Sequence, residues 1–183
     1  ELPVVALAMD SRFRVQSTNG TRWINSIDFF RGYFETAIGP SEILVEIEVP
    51  FHAASTGWAF LEVSRRSGDY AMAGIAALIT LDNKHICRKA RLVYLNLSDA
   101  PLEAKQSADM LVGETLSDEL IKQVANKASE EEIMPMESLH ATVNYQRHLA
   151  CILTKRALEL AYGRAMETLM NNEICNRCHE SIL

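Results

Sequence analysis

Residues 58–81 read Trp58-Ala-Phe-Leu-Glu-Val-Ser64-Arg65-Arg66-Ser67-Gly68-Asp69-Tyr70-Ala71-Met72-Ala-Gly-Ile-Ala-Ala-Leu-Ile-Thr-Leu81. Two apolar runs, Trp58 to Ser64 and Met72 to Leu81, flank a polar turn, and a third run, Ala90 to Leu97, follows. Short apolar runs bounded by turn residues predict strands, and Asp82-Asn83-Lys84 suits the hairpin between the last two. Helical patterns come after the strands instead of between them. Pro101 and Gly113 bracket one predicted helix, proline in its first turn and glycine just past its end. Thr115-Leu-Ser-Asp118 reads as a capping box for a second, with Leu116, Leu120, Val124 and Ala128 on one face. A long helix is expected from about Thr142 to Met170, with Tyr145, Leu149, Ile152, Leu153 and Leu160 as its buried stripe. Strands followed by helices predict an α+β fold, a three-stranded antiparallel sheet packed on a small helical layer.

Upstream, the chain opens on an apolar run, Glu1-Leu2-Pro3-Val4-Val5-Ala6-Leu7-Ala8-Met9, which reads as a strand already under way. No basic segment or small-residue cleavage site precedes it, unlike a signal peptide. Phe13 to Gln16 and Thr21 to Ile24 alternate around Ser17-Thr18-Asn19-Gly20, a strong hairpin signal. Asp28 to Thr36 reads as a short helix or turn carrying Phe29, Phe30 and Tyr33. After Gly39-Pro40, residues 43–49 alternate, with Ile43, Val45, Ile47 and Val49 on one face and Glu46 and Glu48 on the other. Residues 51–57 read as a linker.

The 183 residues are 48% hydrophobic and 23% charged with 8 Gly and 5 Pro, which excludes collagen-like, low-complexity and wholly disordered classes. A net charge of -6 disfavours nucleic-acid binding, because phosphate neutralisation needs a basic face. No apolar run approaches the roughly 20 residues of a membrane span. Four cysteines (Cys87, Cys151, Cys175, Cys178) are too few for a disulfide scaffold of this length and fit a reducing cytoplasm. No two glycines have Gly-x-Gly spacing, so a dinucleotide phosphate cradle is absent from this sequence. Gly-x-Ser-x-Gly and His-Glu-x-x-His are absent too.

The densest polar cluster is Ser64 to Tyr70. Two guanidinium groups, a carboxylate and an aromatic on one sheet edge suit an anionic or planar ligand. The simpler reading is a hairpin in which Asp69 pairs with an arginine and Gly68 supplies the turn. His140, Tyr145, Arg147 and His148, at the start of the last helix, read as packing and subunit-contact residues. Glu130-Glu131-Glu132 reads as a solvated helix end, and Met134-Pro135-Met136 as a buried loop.

Three blocks, Ile43 to Pro50, Phe60 to Ala71, and Leu139 to Ala150 continuing through Leu153 to Leu158, resemble the flavoprotein of the xanthine dehydrogenase and carbon monoxide dehydrogenase family of molybdenum hydroxylases. They occur in the family's order across residues 1 to 162. The resemblance implies an FAD-carrying medium subunit. It would take electrons from two 2Fe–2S clusters of an iron–sulfur small subunit, fed by a molybdopterin large subunit, and pass them to an external acceptor. The implied assembly is a hetero-oligomer, a dimer of heterotrimers. The family's two Gly-rich FAD diphosphate loops are not in this sequence. The implied organisation is therefore the C-terminal part of an FAD-binding domain over 1–52, the flavoprotein C-terminal domain over 53–165, and a tail over 166–183. By the same resemblance Leu44 lines the flavin, Tyr70 lies against the isoalloxazine ring, and Arg66 and Asp69 belong to the mobile loop beside it. Leu61 departs from the pattern: animal members carry a lysine there that contacts the flavin, so NAD as acceptor is not implied.

Two other classes remain open from the residues. One is a non-enzymatic interaction or assembly module that keeps the C-terminal fold without FAD. The other rests on Cys175-Asn-Arg-Cys178-His179, which fits a haem-attachment pattern. Only four residues follow it, too few to build a cytochrome around a haem.

Overall fold

The computed structural model describes residues 1–66, 68–138 and 140–180, with side chains through Asn171. The side chains of Cys175, Cys178 and His179, on which the haem pattern rests, lie outside the described residues, as do Ser67 and Leu139.

The opening run is a helix, α1 (Leu2–Ala8), not a strand. Pro3 occupies its first turn, where a missing N–H costs no hydrogen bond. Val4, Leu7 and Ala8, spaced i, i+3, i+4, bury one face. A run of purely apolar residues hides its period, and only the surface it packs on reveals which face is buried.

Strands β1 (Arg12–Ser17) and β2 (Gly20–Asn25) pair antiparallel from Arg12 opposite Asn25 to Ser17 opposite Gly20, forming the predicted hairpin with Thr18-Asn19 as its two-residue loop and Gly20 already paired. The expected helix or turn over 28–36 is a single helical turn, α2 (Ser26–Phe29), followed by a small hairpin of β3 (Phe30–Gly32) and β4 (Glu35–Thr36). Strand β5 (Ile43–Glu48) adds to the other side of β1, giving the order β2-β1-β5. Its alternation is broken by a register shift. Phe13 lies opposite Ile47 but Val15 opposite Leu44, so Val45 is the extra residue of a bulge. The shift brings Leu44 against a small core of Phe13, Val15, Ile24, Phe29 and Ala37, with the Phe13 and Phe29 rings stacked at 3.9 Å. Ile43, Val45 and Ile47 remain exposed. Glu46 and Glu48 pair across the sheet with Arg14 and Arg12.

The second sheet holds the main core. Strands β6 (Thr56–Ser64), β7 (Ala71–Leu81) and β8 (Cys87–Leu95) match the three predicted, and a two-residue fourth, β9 (Leu102–Glu103), extends the antiparallel order β6-β7-β8-β9. The extra strand follows Pro101, where a helix start was expected; helix α3 (Lys105–Asp109) begins later. The N–H groups of Gln106 and Ser107 donate to the Glu132 carboxylate at 2.9 and 2.7 Å. The acidic run is therefore partly a helix cap and not a freely solvated end. In the β7–β8 turn Asp82 Oδ1 accepts from the N–H groups of Lys84 and Ile86, and Oδ2 from Arg88. Helix α4 (Asp118–Lys127) is capped by Ser117, whose Oγ accepts from the Leu120 N–H at 3.2 Å, two residues later than the predicted box. It continues into one π-helical turn, Ala128–Glu132. Met134 and Met136 are exposed, in contrast to the buried loop expected of them.

Helix α5 (Val143–Glu180) lies across β6 and β7. Its buried face is Leu149, Ala150, Leu153, Ala157, Leu158, Ala161, Ala165 and Leu169, whereas Tyr145 and Leu160 of the expected stripe are exposed. The alanines set the distance. At Gly57 of β6 a Cβ would stand 1.8 Å from the Ala161 carbonyl oxygen and 2.5 Å from the Ala165 nitrogen, so sheet and helix backbones touch there. Arg164 donates to the Trp58 carbonyl at 2.6 Å with its guanidinium 4.1 Å from the Trp58 ring centroid. Within the core Thr154 Oγ1 donates to the Ala150 carbonyl, so the Tyr94 hydroxyl, 2.6 Å away, donates to Thr154. Burial pushes the Tyr94 hydroxyl up, so it stays protonated.

Both faces of this sheet are covered. α5 takes the side of Ile75, Ala77 and Ile79, while α1 takes the side of Ala76, Leu78 and Val93. An ion triad around the buried Arg91 closes the α1 side: Arg91 bonds both Glu103 oxygens at 2.9 Å and the exposed Asp10 at 2.9 Å. Asp10 lies two residues past the end of α1, so the triad ties the first residues to β8 and β9.

Two outcomes follow from this packing. Gly57→Ala should destabilise the chain by on the order of 3 kcal/mol, since backbone and not a flexible side chain must give way. Gly163→Ala, where a Cβ meets nothing within 4 Å, should stabilise by up to about 1 kcal/mol through helix propensity. Urea unfolding of both variants measures the contrast, and equal effects would refute the close approach. The second outcome concerns Glu42, which accepts from Arg22 Nε and Nη2 and the Gly39 N–H, each at 2.7 Å. The Arg22 guanidinium and then that backbone N–H hold its carboxyl at about 2, below the usual 4.5. The unfolded chain thus binds the proton first, so the contribution is complete above about pH 4.5 and fades toward pH 2. Glu42→Gln should lower Tm at pH 7 by an increment that shrinks over that interval in thermal scans.

Candidate functional site

The β6–β7 turn leaves the sheet at Ser64, opposite Ala71, after a register shift past Val63. Ser64 Oγ and the Asp69 N–H both donate to the Arg66 carbonyl, at 2.8 and 3.1 Å, winding the turn tightly. Gly68 takes φ +84, a left-handed conformation in which other side chains are strained, as the turn reading requires. Among the described residues Asp69 pairs with no arginine. Its Oδ1 accepts from the Tyr70 N–H at 2.9 Å, a local bond that holds the backbone on which the Tyr70 ring stands. Arg65 reaches the other way and bonds His140 Nδ1 at 2.8 Å, joining the turn to the segment before α5.

Tyr70 is 94% exposed, unusual for an aromatic on so constrained a turn. It borders an open concavity of about 340 Å³ together with Glu1, Gly68, Asp69, Ala71, Leu95 and Asn96. Of the four residues assigned a flavin contact by resemblance, Asp69 and Tyr70 line this concavity. Arg66 is exposed on the same turn but outside the lining, and Leu44 sits in the β5 sheet against its aromatic core. Leu61, where animal members carry lysine, packs partly buried against the main core. Asn96 and Gln146 are contributors that the sequence does not announce. Asn96 Nδ2 donates to the Ala71 carbonyl at 2.8 Å, and Gln146 Nε2 approaches the Met72 carbonyl at 3.4 Å. Only a left-handed Asn position just past a strand could have flagged the first.

In the cluster at the start of α5, Arg147 and His140 bond other segments, as a packing role expects, whereas among the described residues Tyr145 and His148 do not. Arg147 donates to the Ser129 and Glu130 carbonyls and so fastens the π-helical turn that follows α4. Tyr145 and His148 are exposed. Among the described residues no group of three His, Cys, Asp or Glu side chains could hold a metal, Cys87 and Cys151 are free thiols, and no helix is long and apolar enough to cross a membrane. Burial pushes the Cys87 thiol up to about 11, which keeps it protonated and unreactive.

The concavity suits the ring portion of a flavin: an exposed aromatic face beside open backbone and room for a planar group. It does not suit a diphosphate. Two acidic residues, Glu1 and Asp69, are in its lining and disfavour that charge.

Residues 58–161 match the family CO dehydrogenase flavoprotein C-terminal domain, and residues 1–52 match the FAD binding domain in molybdopterin dehydrogenase. The chain is 34% identical over 168 residues to the 6-hydroxypseudooxynicotine dehydrogenase complex subunit alpha of Paenarthrobacter nicotinovorans, covering 92% of this chain and 56% of that relative. It is 30% identical to the carbon monoxide dehydrogenase medium chain of Hydrogenophaga pseudoflava, covering 88% of this chain and 56% of the relative. A solved carbon monoxide dehydrogenase from Hydrogenophaga pseudoflava, in a form that lacks the Mo-pyranopterin moiety of the molybdenum cofactor, superposes with a TM-score of 0.85 at 30% identity, over 90% of this chain and 56% of that one. The chain thus spans little more than half the length of the relatives it matches. Fold, order of the matched segments and identity agree, and the chain belongs to the CO dehydrogenase flavoprotein family of medium FAD-binding subunits.

Proposed function

We propose that this chain is part of the FAD-carrying medium subunit of a molybdenum hydroxylase. Its work is to relay electrons from the 2Fe–2S clusters of an iron–sulfur small subunit, fed by a molybdopterin large subunit, to an external acceptor. The assembly is a dimer of heterotrimers in the cytoplasm, and the boundary between the end of the FAD-binding domain and the C-terminal domain falls near residue 52. The observation that carries the reading is the fully displayed Tyr70 ring, on a turn held from within by Asp69 and Gly68, in a chain of this family.

FAD, when bound, supplies the exchange between one-electron and two-electron carriers. The residues of this chain hold its ring. Tyr70 offers an aromatic face that shields one side from water, and Asp69 fixes that residue's backbone. Arg66 closes the turn through its carbonyl, and Leu44, in the β5 sheet outside the concavity, would line the flavin at a separate point. The diphosphate is held elsewhere, by segments that this sequence does not contain.

A second reading, a non-enzymatic interaction module, is favoured by one feature: the acidic lining of the concavity. Purification of the native gene product with its bound subunits separates the two. The expected result is oxidised-flavin absorbance that bleaches on reduction, with iron–sulfur and molybdopterin subunits alongside. Absence of flavin overturns the proposal in favour of the module. The 183 residues alone should bind free FAD more weakly than micromolar in a flavin-fluorescence titration, and tighter binding would contradict the assignment of the diphosphate site to other segments.

A further inference from the structure

Strand β8 ends at Leu95, paired with Gly74, whereas β7 begins at Ala71. Ala71, Met72 and Ala73 therefore extend beyond the last rung on that side of the sheet. Ala71 directly follows Tyr70, so whatever holds this overhang sets where the Tyr70 ring stands. The overhang's β6 side is held by the pairing of Ser64 with Ala71 and Val63 with Ala73, and on the β8 side, where no rung remains, the hold comes from Asn96. Its φ of +57 turns the chain just past β8, and its Nδ2 donates to the Ala71 carbonyl at 2.8 Å and reaches the Met72 carbonyl at 3.4 Å. From the opposite layer Gln146, 2% exposed, brings Nε2 within 3.4 Å of the same Met72 carbonyl.

Two demands meet at residue 96. The backbone needs a residue that tolerates the left-handed region, which favours Gly, Asn and Asp. The overhanging carbonyls need a donor. Glycine meets the first demand only. Aspartate keeps shape and conformation but turns a carboxylate toward two carbonyl oxygens. Asparagine meets both. Asn96 also lines the concavity beside Tyr70.

We infer that Asn96 is a positioning residue: its amide locks the start of β7 and thereby fixes the Tyr70 ring against the face of the flavin. The inference rests on the reading of the site given above, since a ring contact is useful only when placed to within about half an ångström.

The test uses the native FAD-loaded complex and four proteins: wild type, Tyr70→Ala, Asn96→Asp and Asn96→Gly. A tyrosine in contact with the isoalloxazine quenches its emission, so Tyr70→Ala should raise flavin fluorescence and shift the visible bands. Asn96→Asp should reproduce that loss of quenching and raise KM for the electron acceptor while flavin content stays at wild-type level. Asn96→Gly, which relieves the backbone and keeps the chain folded, should show the same spectral change in weaker form. If both Asn96 variants keep wild-type emission and bands while Tyr70→Ala does not, the inference is overturned even where their Tm falls. If Tyr70→Ala itself changes nothing in a flavin-containing complex, the ring contact is refuted and the inference with it. A native complex without flavin overturns the function proposed above instead.

Discussion

The close approach of Gly57 to α5 is the constraint on which the rest of the structure depends. A helix normally stands off a sheet by the length of its side chains. Here Ala150, Ala157, Ala161 and Ala165 remove that spacing along one helix face, and Gly57 removes it from the sheet. With the backbones in contact at one point, the crossing of α5 over β6 and β7 has little freedom. Leu153, Leu158, Ile75 and Ile79 then fill the space on either side. The Tyr94–Thr154 bond adds a polar fastening inside this layer, and Arg164 over Trp58 adds another at its rim.

With α5 seated, the sheet presents its other face to α1, and the two layers trap β7 between them. That explains why β7, the most buried strand, carries Ala, Ile and Leu in near-continuous succession instead of alternation. The Asp10–Arg91–Glu103 triad then links the segment leaving α1 to the far edge of the sheet. Such a triad does little for net stability beyond what apolar residues would supply, but breaking it strands a buried charge. Its effect is to hold residues 1–10 against the same sheet that carries the β6–β7 turn, which places Glu1 beside Tyr70. The candidate site is thus assembled from both ends of this layer.

The concavity beside Tyr70 combines an exposed aromatic face with two acidic residues. An aromatic face and neutral backbone suit the ring, while Glu1 and Asp69 disfavour a diphosphate at the same spot. The chain covers just over half the length of its relatives. The exposed Ile43, Val45 and Ile47 of β5 lie on the segment that matches the FAD-binding family.

Locally encoded features were legible from residue order. The Asn19-Gly20 hairpin, the Asp82 turn, the three long strands and the left-handed Gly68 are each decided within a few residues, by conformational preferences that act before any tertiary contact forms. The family itself was legible too, because three blocks kept their order. What depends on partners distant in sequence was not. α1 reads as a strand because its burying surface lies near residues 76–93; of the α5 stripe Leu149 and Leu153 are buried but Tyr145 and Leu160 are not, because alanines and not bulky residues make up much of that face. Glu132 became a cap only when α3 was brought to it, and Asn96 acquired its role only when Ala71, 25 residues earlier in the chain, came within reach of its amide. Sequence by itself determined the turns, the strands and the kinship of this protein. Only tertiary structure decided which face is buried, which charge is a cap and what holds Tyr70, because those outcomes are set by distances between segments that residue order does not record.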